Sequence, residues 1–142
     1  MTVEGFIDYC VDRSASLYEN SNEPPDEIRN RLDLFWRHAV SIFAGTSMEE
    51  AVTRKAAARI IHTYLKDVRR ICDTDWNRSL KLRDIYDCRV CANSIAQIYE
   101  RGIIKEFMPG IFGANELMTD SELEDAFAAA NRIREQVNAT FD

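Results

Sequence analysis

The chain predicts an all-α fold, a single domain built as a bundle of about five helices. Three observations carry this. The 142 residues include only five glycines and three prolines, so long stretches lack the punctuation that hairpin-rich β folds require. Apolar residues recur at steps of three and four, the period of a helix with one buried face. Two capping boxes, Ser47-Met48-Glu49-Glu50 and Thr119-Asp120-Ser121-Glu122, mark helix starts. A hydrophobic content of 46% and a charged content of 30% are those of an ordinary globular protein, and the length suffices for one real core.

The first helix is expected from Thr2, a candidate N-cap, to about Asn20. Val3, Phe6, Ile7, Cys10, Ser14 and Leu17 share one face, and Glu4, Asp8 and Asp12 form an acidic outer ridge. The run Asn20-Ser21-Asn22-Glu23-Pro24-Pro25 breaks it. Pro25 suits the first turn of a second helix, where its missing N–H costs nothing, and Asp26 and Glu27 suit the positive end of that helix's dipole. Ile28, Leu32, Phe35, Ala39, Ile42 and Phe43 give its stripe, with Gly45 placed to end it. A third helix is expected from Met48 to Cys72, capped by Ser47. Its stripe is Ala57, Ile61, Tyr64, Val68 and Ile71, and Asp73-Thr74-Asp75 breaks it.

Ile85, Cys88, Ala92, Ile95 and Tyr99 form a fourth seam. Carrying its register back to Trp76 would bury Lys81, so residues 74–81 are expected to be irregular, and Gly102 is the expected C-terminal cap. Pro109, Gly110 and Gly113 preclude one long element over residues 102–118. A short helix followed by a packed loop is the expectation there. The last helix opens at the Thr119 box and sets Leu123, Phe127, Ala130, Ile133 and Val137 on one face. No internal repeat is evident. The simplest assembly is an antiparallel bundle with short connections.

The net charge of −6 hides a segregation: residues 1–33 balance to −5, residues 34–99 to +4 and residues 100–142 to −5. On the third helix Lys55, Arg59, Lys66, Arg69 and Arg70 fall opposite the apolar stripe, a basic ridge about 22 Å long at the helical rise. Such a ridge implies a negatively charged counterpart. It could be the chain's own acidic ends, a protein, a nucleic-acid backbone, or an acidic helix of a second copy in a two-fold homodimer. Phe107, Ile111 and Phe112 lie in an irregular segment and form a second, hydrophobic candidate contact.

Cys88-x-x-Cys91 is the only thiol pair at close spacing. Zinc needs about four ligands, and Cys10, Cys72, His38 and His62 show no ligand spacing, so no metal is expected. The motif is similar to that of the all-helical alkylhydroperoxidase-D and carboxymuconolactone-decarboxylase families, which carry a Glu five residues before it and a His four residues after it. Arg83 and Ile95 occupy those places, so the resemblance fails where it would carry chemistry. Cys88 is expected in the buried seam with Cys91 at its border.

Neither histidine belongs to a Glu-x-x-His or His-x-x-x-His pair, and no Gly-x-Ser-x-Gly elbow is present. No apolar run approaches the roughly 18–20 residues of a membrane span, and no basic segment precedes an apolar run at the N-terminus. The four cysteines are therefore expected as reduced thiols in a cytoplasm, or in a host cytoplasm for a viral or injected protein.

The sequence thus points to a non-enzymatic interaction protein without cofactor. It would bind another macromolecule, a protein in the first instance, as an adaptor, immunity or antitoxin partner, or inhibitor. A sequence-independent nucleic-acid accessory protein is the alternative, and a thiol-redox or zinc protein using Cys88 and Cys91 comes third.

Overall fold

A computed structural model of the chain describes residues 1–43 and 48–134. Five α-helices account for the fold: α1 (Val3–Leu17), α2 (Pro25–Ile42), α3 (Arg54–Asp67), α4 (Ala92–Glu100) and α5 (Asp120–Asn131). Short 3-10 turns occupy Arg78–Lys81 and Arg89–Cys91. Among the described residues there is no strand or sheet, and no helix is long and apolar enough to cross a membrane.

Most helix starts follow local chemistry. The Thr2 hydroxyl accepts the Gly5 N–H and caps α1. Pro25 opens α2, with Asp26 and Glu27 in the first turn. The Thr119 hydroxyl accepts the Glu122 N–H while the Glu122 carboxylate accepts the Thr119 N–H, closing the capping box of α5. Gly102 ends α4 with φ +70°, a left-handed conformation that glycine adopts without a Cβ penalty. The expected Gly45 stop, the Ser47 cap and Val137 lie outside the described residues.

Helix α3 departs from expectation at both ends. It starts at Arg54, capped by the Thr53 hydroxyl, which accepts the Ala56 N–H. Residues 48–50 form a turn and residues 51–53 an extended stretch instead, because the backbone groups of this segment pair on both sides. Val3 N–H donates to the Glu50 carbonyl at 2.9 Å and Glu4 N–H to that of Met48 at 3.0 Å. On the other side Arg54 N–H donates to Glu116 at 2.8 Å and Met118 N–H to Val52 at 3.1 Å. This clasp gathers the N-termini of α1, α3 and α5. It is reinforced by an ion pair from the N-terminal ammonium of Met1 to Asp120. At the other end Arg70 takes φ +55°, and the Ile71 N–H reaches back to the Leu65 carbonyl at 2.9 Å, a Schellman-type ending. The expected helix from residue 48 to residue 72 is therefore shortened to Arg54–Asp67.

Helix α3 packs against α2, α4 and α5, and α1 packs on α2. An aromatic chain joins them: Phe35 of α2 meets Tyr64 of α3 edge-on at 5.5 Å, Tyr64 meets Phe127 of α5 at 4.7 Å, and Phe127 meets Tyr9 of α1 at 5.8 Å. Rings at these separations add to their area burial through quadrupole geometry. Tyr64 is fully buried, yet its hydroxyl donates to Asn131 at 2.6 Å and accepts from Ser14 at 3.0 Å. Burial pushes its ionisation above the ordinary tyrosine range.

The connections are not short. Residues 68–91 and 101–119 contain no α-helix, yet Ile71, Leu82, Ile85, Ile103, Ile104 and Phe112 from them are buried. The expected seam from Ile85 to Tyr99 is helical only from Ala92 onward, and the short helix expected after Gly102 does not form. Carboxylates replace the helix ladder there. Asp84 accepts the N–H groups of Phe112 and Gly113 at 2.8 and 2.9 Å. Glu100 accepts those of Asn77 and Ser79 at 2.6 and 2.7 Å, together with the Ser79 hydroxyl at 2.7 Å.

Candidate functional site

The five cations predicted as a ridge are dispersed. Lys55 and Arg59 lie on α3 and are half-buried, Lys66 is exposed, and none of the three forms an ion pair among the described residues. Arg69 falls beyond the helix, and its guanidinium donates to the carbonyls of Ala130 and Ile133, each at 2.5 Å, which closes off the end of α5. Arg70 pairs with Glu27 of α2 at 3.3 Å. The ridge needed an unbroken helix through residue 70. The left-handed turn at Arg70 swings the last two cations away and hands them to partners within the chain.

The hydrophobic candidate divides as well. Phe112 is fully buried and Ile111 half-buried, whereas Phe107 is 50% exposed. Phe112 is thus a core residue, held in place by Arg54. That guanidinium lies 5.0 Å from the Phe112 ring and 5.7 Å from the Phe107 ring. Its Nε donates to the Phe112 carbonyl at 2.8 Å, and Nη2 donates to Lys105. Burial of Arg54 and the fold of the 105–113 loop are one arrangement.

A polar cluster that sequence reasoning missed connects α3, α4 and residues 73–76. His62 is buried. Its Nδ1 is 2.9 Å from the Ser94 hydroxyl and its Nε2 is 2.7 Å from the Asp73 carboxylate. Asn93 donates to the same carboxylate at 2.9 Å and accepts from Trp76 Nε1 at 2.9 Å. The buried Gln97 side chain binds both backbone groups of Thr74 at 2.8 Å. Burial opposes ionisation of Asp73, but the hydrogen bonds from His62 and Asn93 outweigh it and hold the carboxyl below its usual range. These groups satisfy one another and secure a segment without secondary structure. Asn93, Ser94 and Gln97 sit at helical spacing on α4, the one sequence signal that could have revealed the cluster.

The cysteines divide into two classes. Cys88 and Cys91 are joined as a disulfide, while Cys10 and Cys72 are free thiols, one buried and one exposed. The expectation of four reduced thiols is corrected for the pair: the 3-10 turn at the start of α4 brings their Cα atoms to 5.2 Å, within disulfide reach. Among the described residues no group of three or more His, Cys, Asp or Glu side chains is arranged to hold a metal ion.

One surface has the form of a binding site. Helices α1 and α2, with the segment that joins them, line an open groove of about 630 Å³. Val11, Ala15 and Tyr18 line it from α1, and Ile28, Leu32 and Trp36 from α2. Trp36 remains 43% exposed. Glu19, Glu23 and Asp33 stand on the rim beside Arg29. Glu23 pairs with the buried Arg31 and Asp33 with Arg37. The acidic balance of residues 1–33 therefore surrounds an apolar trough. Comparison with protein-family models, curated proteins and solved structures finds no match.

Proposed function

We propose that the protein is an interaction module that binds another protein through the α1–α2 groove. The observation carrying this reading is the half-exposed Trp36 in an apolar trough bordered by Glu19, Glu23 and Asp33. Exposed aromatic side chains over apolar floors are the usual anchors of protein interfaces. The occupant that fits is an amphipathic helix, apolar on one face and flanked by Lys or Arg. Such a helix lays three or four anchors into a groove of this type, and the acidic rim would speed encounter more than it would tighten the complex. The basic ridge expected from the sequence gives way to this surface, because Arg69 and Arg70 are held by their own chain.

A photo-crosslinking amino acid at Ala15 or Trp36, in the protein's native cells, tests the reading. The expected result is one discrete protein adduct, resistant to nuclease, absent when the probe is moved to exposed Lys105 and weakened by Ala15→Glu. Equal crosslinking at all three positions, or nuclease-sensitive crosslinking, would overturn it.

A further inference from the structure

We propose that Cys88 and Cys91 form a thiol–disulfide exchange site that acts on protein dithiols and disulfides, separate from the α1–α2 groove and independent of its role. Four features of the pair support this. First, the disulfide spans only two residues within a 3-10 turn whose Cys91 N–H already bonds the Cys88 carbonyl at 3.1 Å. Backbone bonding, and not the S–S bond, sets the turn, so opening the bond leaves the fold in place.

Second, the two sulfurs are unequal. Cys91 is buried in the core at 2% exposure, whereas Cys88 is only half-buried. An incoming thiolate therefore reaches Cys88, and Cys91 is the leaving and resolving group. Third, Cys91 is the residue before α4, and no side chain caps that helix. A thiolate there lies at the positive end of the helix dipole, with the exposed Arg89 between the two cysteines. The dipole offsets part of the cost that burial imposes on the departing Cys91 thiolate. Fourth, the turn is set among apolar side chains open to solvent. Val90 is 74% exposed and Tyr86 is 63% exposed, and the Tyr86 ring lies tilted at 6.0 Å against Trp76, whose indole is tied to Asn93 in the first turn of α4. A surface of this kind receives a peptide rather than a small hydrophilic thiol.

The exchange balances as follows. A substrate thiolate attacks Cys88 Sγ, the Cys88–Cys91 bond breaks, and Cys91 leaves as the thiolate. A second substrate thiol, after losing its proton, attacks the substrate sulfur of the mixed disulfide and expels Cys88. Two electrons pass from the substrate dithiol to the pair, and the substrate leaves as a disulfide. The reverse sequence reduces a protein disulfide.

The test uses full-length Cys72→Ser protein, which removes the exposed competing thiol. Equilibration with glutathione buffers of graded ratio, read by mass after acid quench, should show Cys88 and Cys91 converting together as one two-electron couple inside the accessible range. A pair that stays oxidised in 10 mM reduced glutathione, or that never oxidises, overturns the proposal without any change to the pair itself. With Cys91→Ser added, Cys88 should trap a reduced, unfolded test protein pre-activated as a mixed disulfide with thionitrobenzoate. It should do so at least tenfold faster than Cys91 does when Cys88→Ser is added instead. Equal rates would overturn the assignment of Cys88 as the attacked sulfur. Faster exchange with the glutathione–thionitrobenzoate mixed disulfide than with the activated protein would overturn the protein substrate class.

Discussion

Replacing Glu100 with glutamine should cost stability at neutral pH and nothing in strong acid. Burial by itself would raise this carboxyl, but the N–H groups of Ser79 and Asn77 and the Ser79 hydroxyl, all directed at one oxygen, outweigh it and draw the pKa from 4.5 down to about 2. A carboxylate that accepts several N–H bonds is stabilised in its charged form. A fall of that size corresponds to roughly 3 kcal/mol at about 1.36 kcal/mol per pH unit. The side chain is only 7% exposed, yet it borders an open pocket of about 640 Å³ together with Asn77 and Arg78. Water in that pocket screens the charge and reduces the effect to about 1–2 kcal/mol.

The sign follows from the direction of the shift. A depressed folded-state pKa contributes stability that is fully present above about 4.5 and is lost as pH falls through about 2. Urea denaturation of wild type and Glu100→Gln at pH 7, 5, 4, 3 and 2.5 reads the difference directly, because titrations common to both proteins cancel. The expected gap is about 1–2 kcal/mol at pH 7 and 5, narrowing steadily below pH 4. A gap of constant size across the series would refute the reasoning, since it would mean that shape and not charge holds residues 77–79 to the end of α4. Absence of a gap at pH 7 would refute it equally.

Gly113→Ala should destabilise by at least about 2 kcal/mol, since φ is +77° and the new Cβ would lie 2.7 Å from that of Phe107. Gly102→Ala, with φ +70° and open space around it, should cost only about 1 kcal/mol; thermal melts of the two variants separate a clash from backbone strain. Tyr64→Phe strands the buried Ser14 hydroxyl and should cost about 1–3 kcal/mol, and adding Ser14→Ala should recover part of that loss in a double-mutant cycle. The hydroxyl–imidazole–carboxylate line of Ser94, His62 and Asp73 should leave the protein unlabelled by a fluorophosphonate serine probe. Labelling that disappears in His62→Gln would overturn the structural reading of this line.

The legible features were those whose cause is local. Thr2, Pro25, Thr119 and Gly102 mark helix ends because a side chain or a left-handed φ acts within one turn of its own position. Illegible features depended on distant neighbours. Thr53 rather than Ser47 caps α3 because residues 48–53 pair with the start of α1 and with residues 114–118, segments about fifty residues or more away in sequence. Arg70 ends α3 in a conformation usually reserved for glycine or asparagine, and no local pattern announces that. The α1–α2 groove escaped because Val11, Ala15 and Trp36 lie outside either apolar stripe, and only the packing of the two helices brings them together.

By itself, then, the amino-acid sequence determined that this chain is all-helical, where four of its helices begin or end, and which of their faces are apolar. Periodicity and capping are short-range effects and survive without knowledge of the whole. Tertiary structure decided where the charges go, which aromatic side chains stay wet, and which thiols meet. A cation becomes a clamp on α5 or a partner for Glu27 only when another element comes within bonding distance, and that distance is a property of the packed chain.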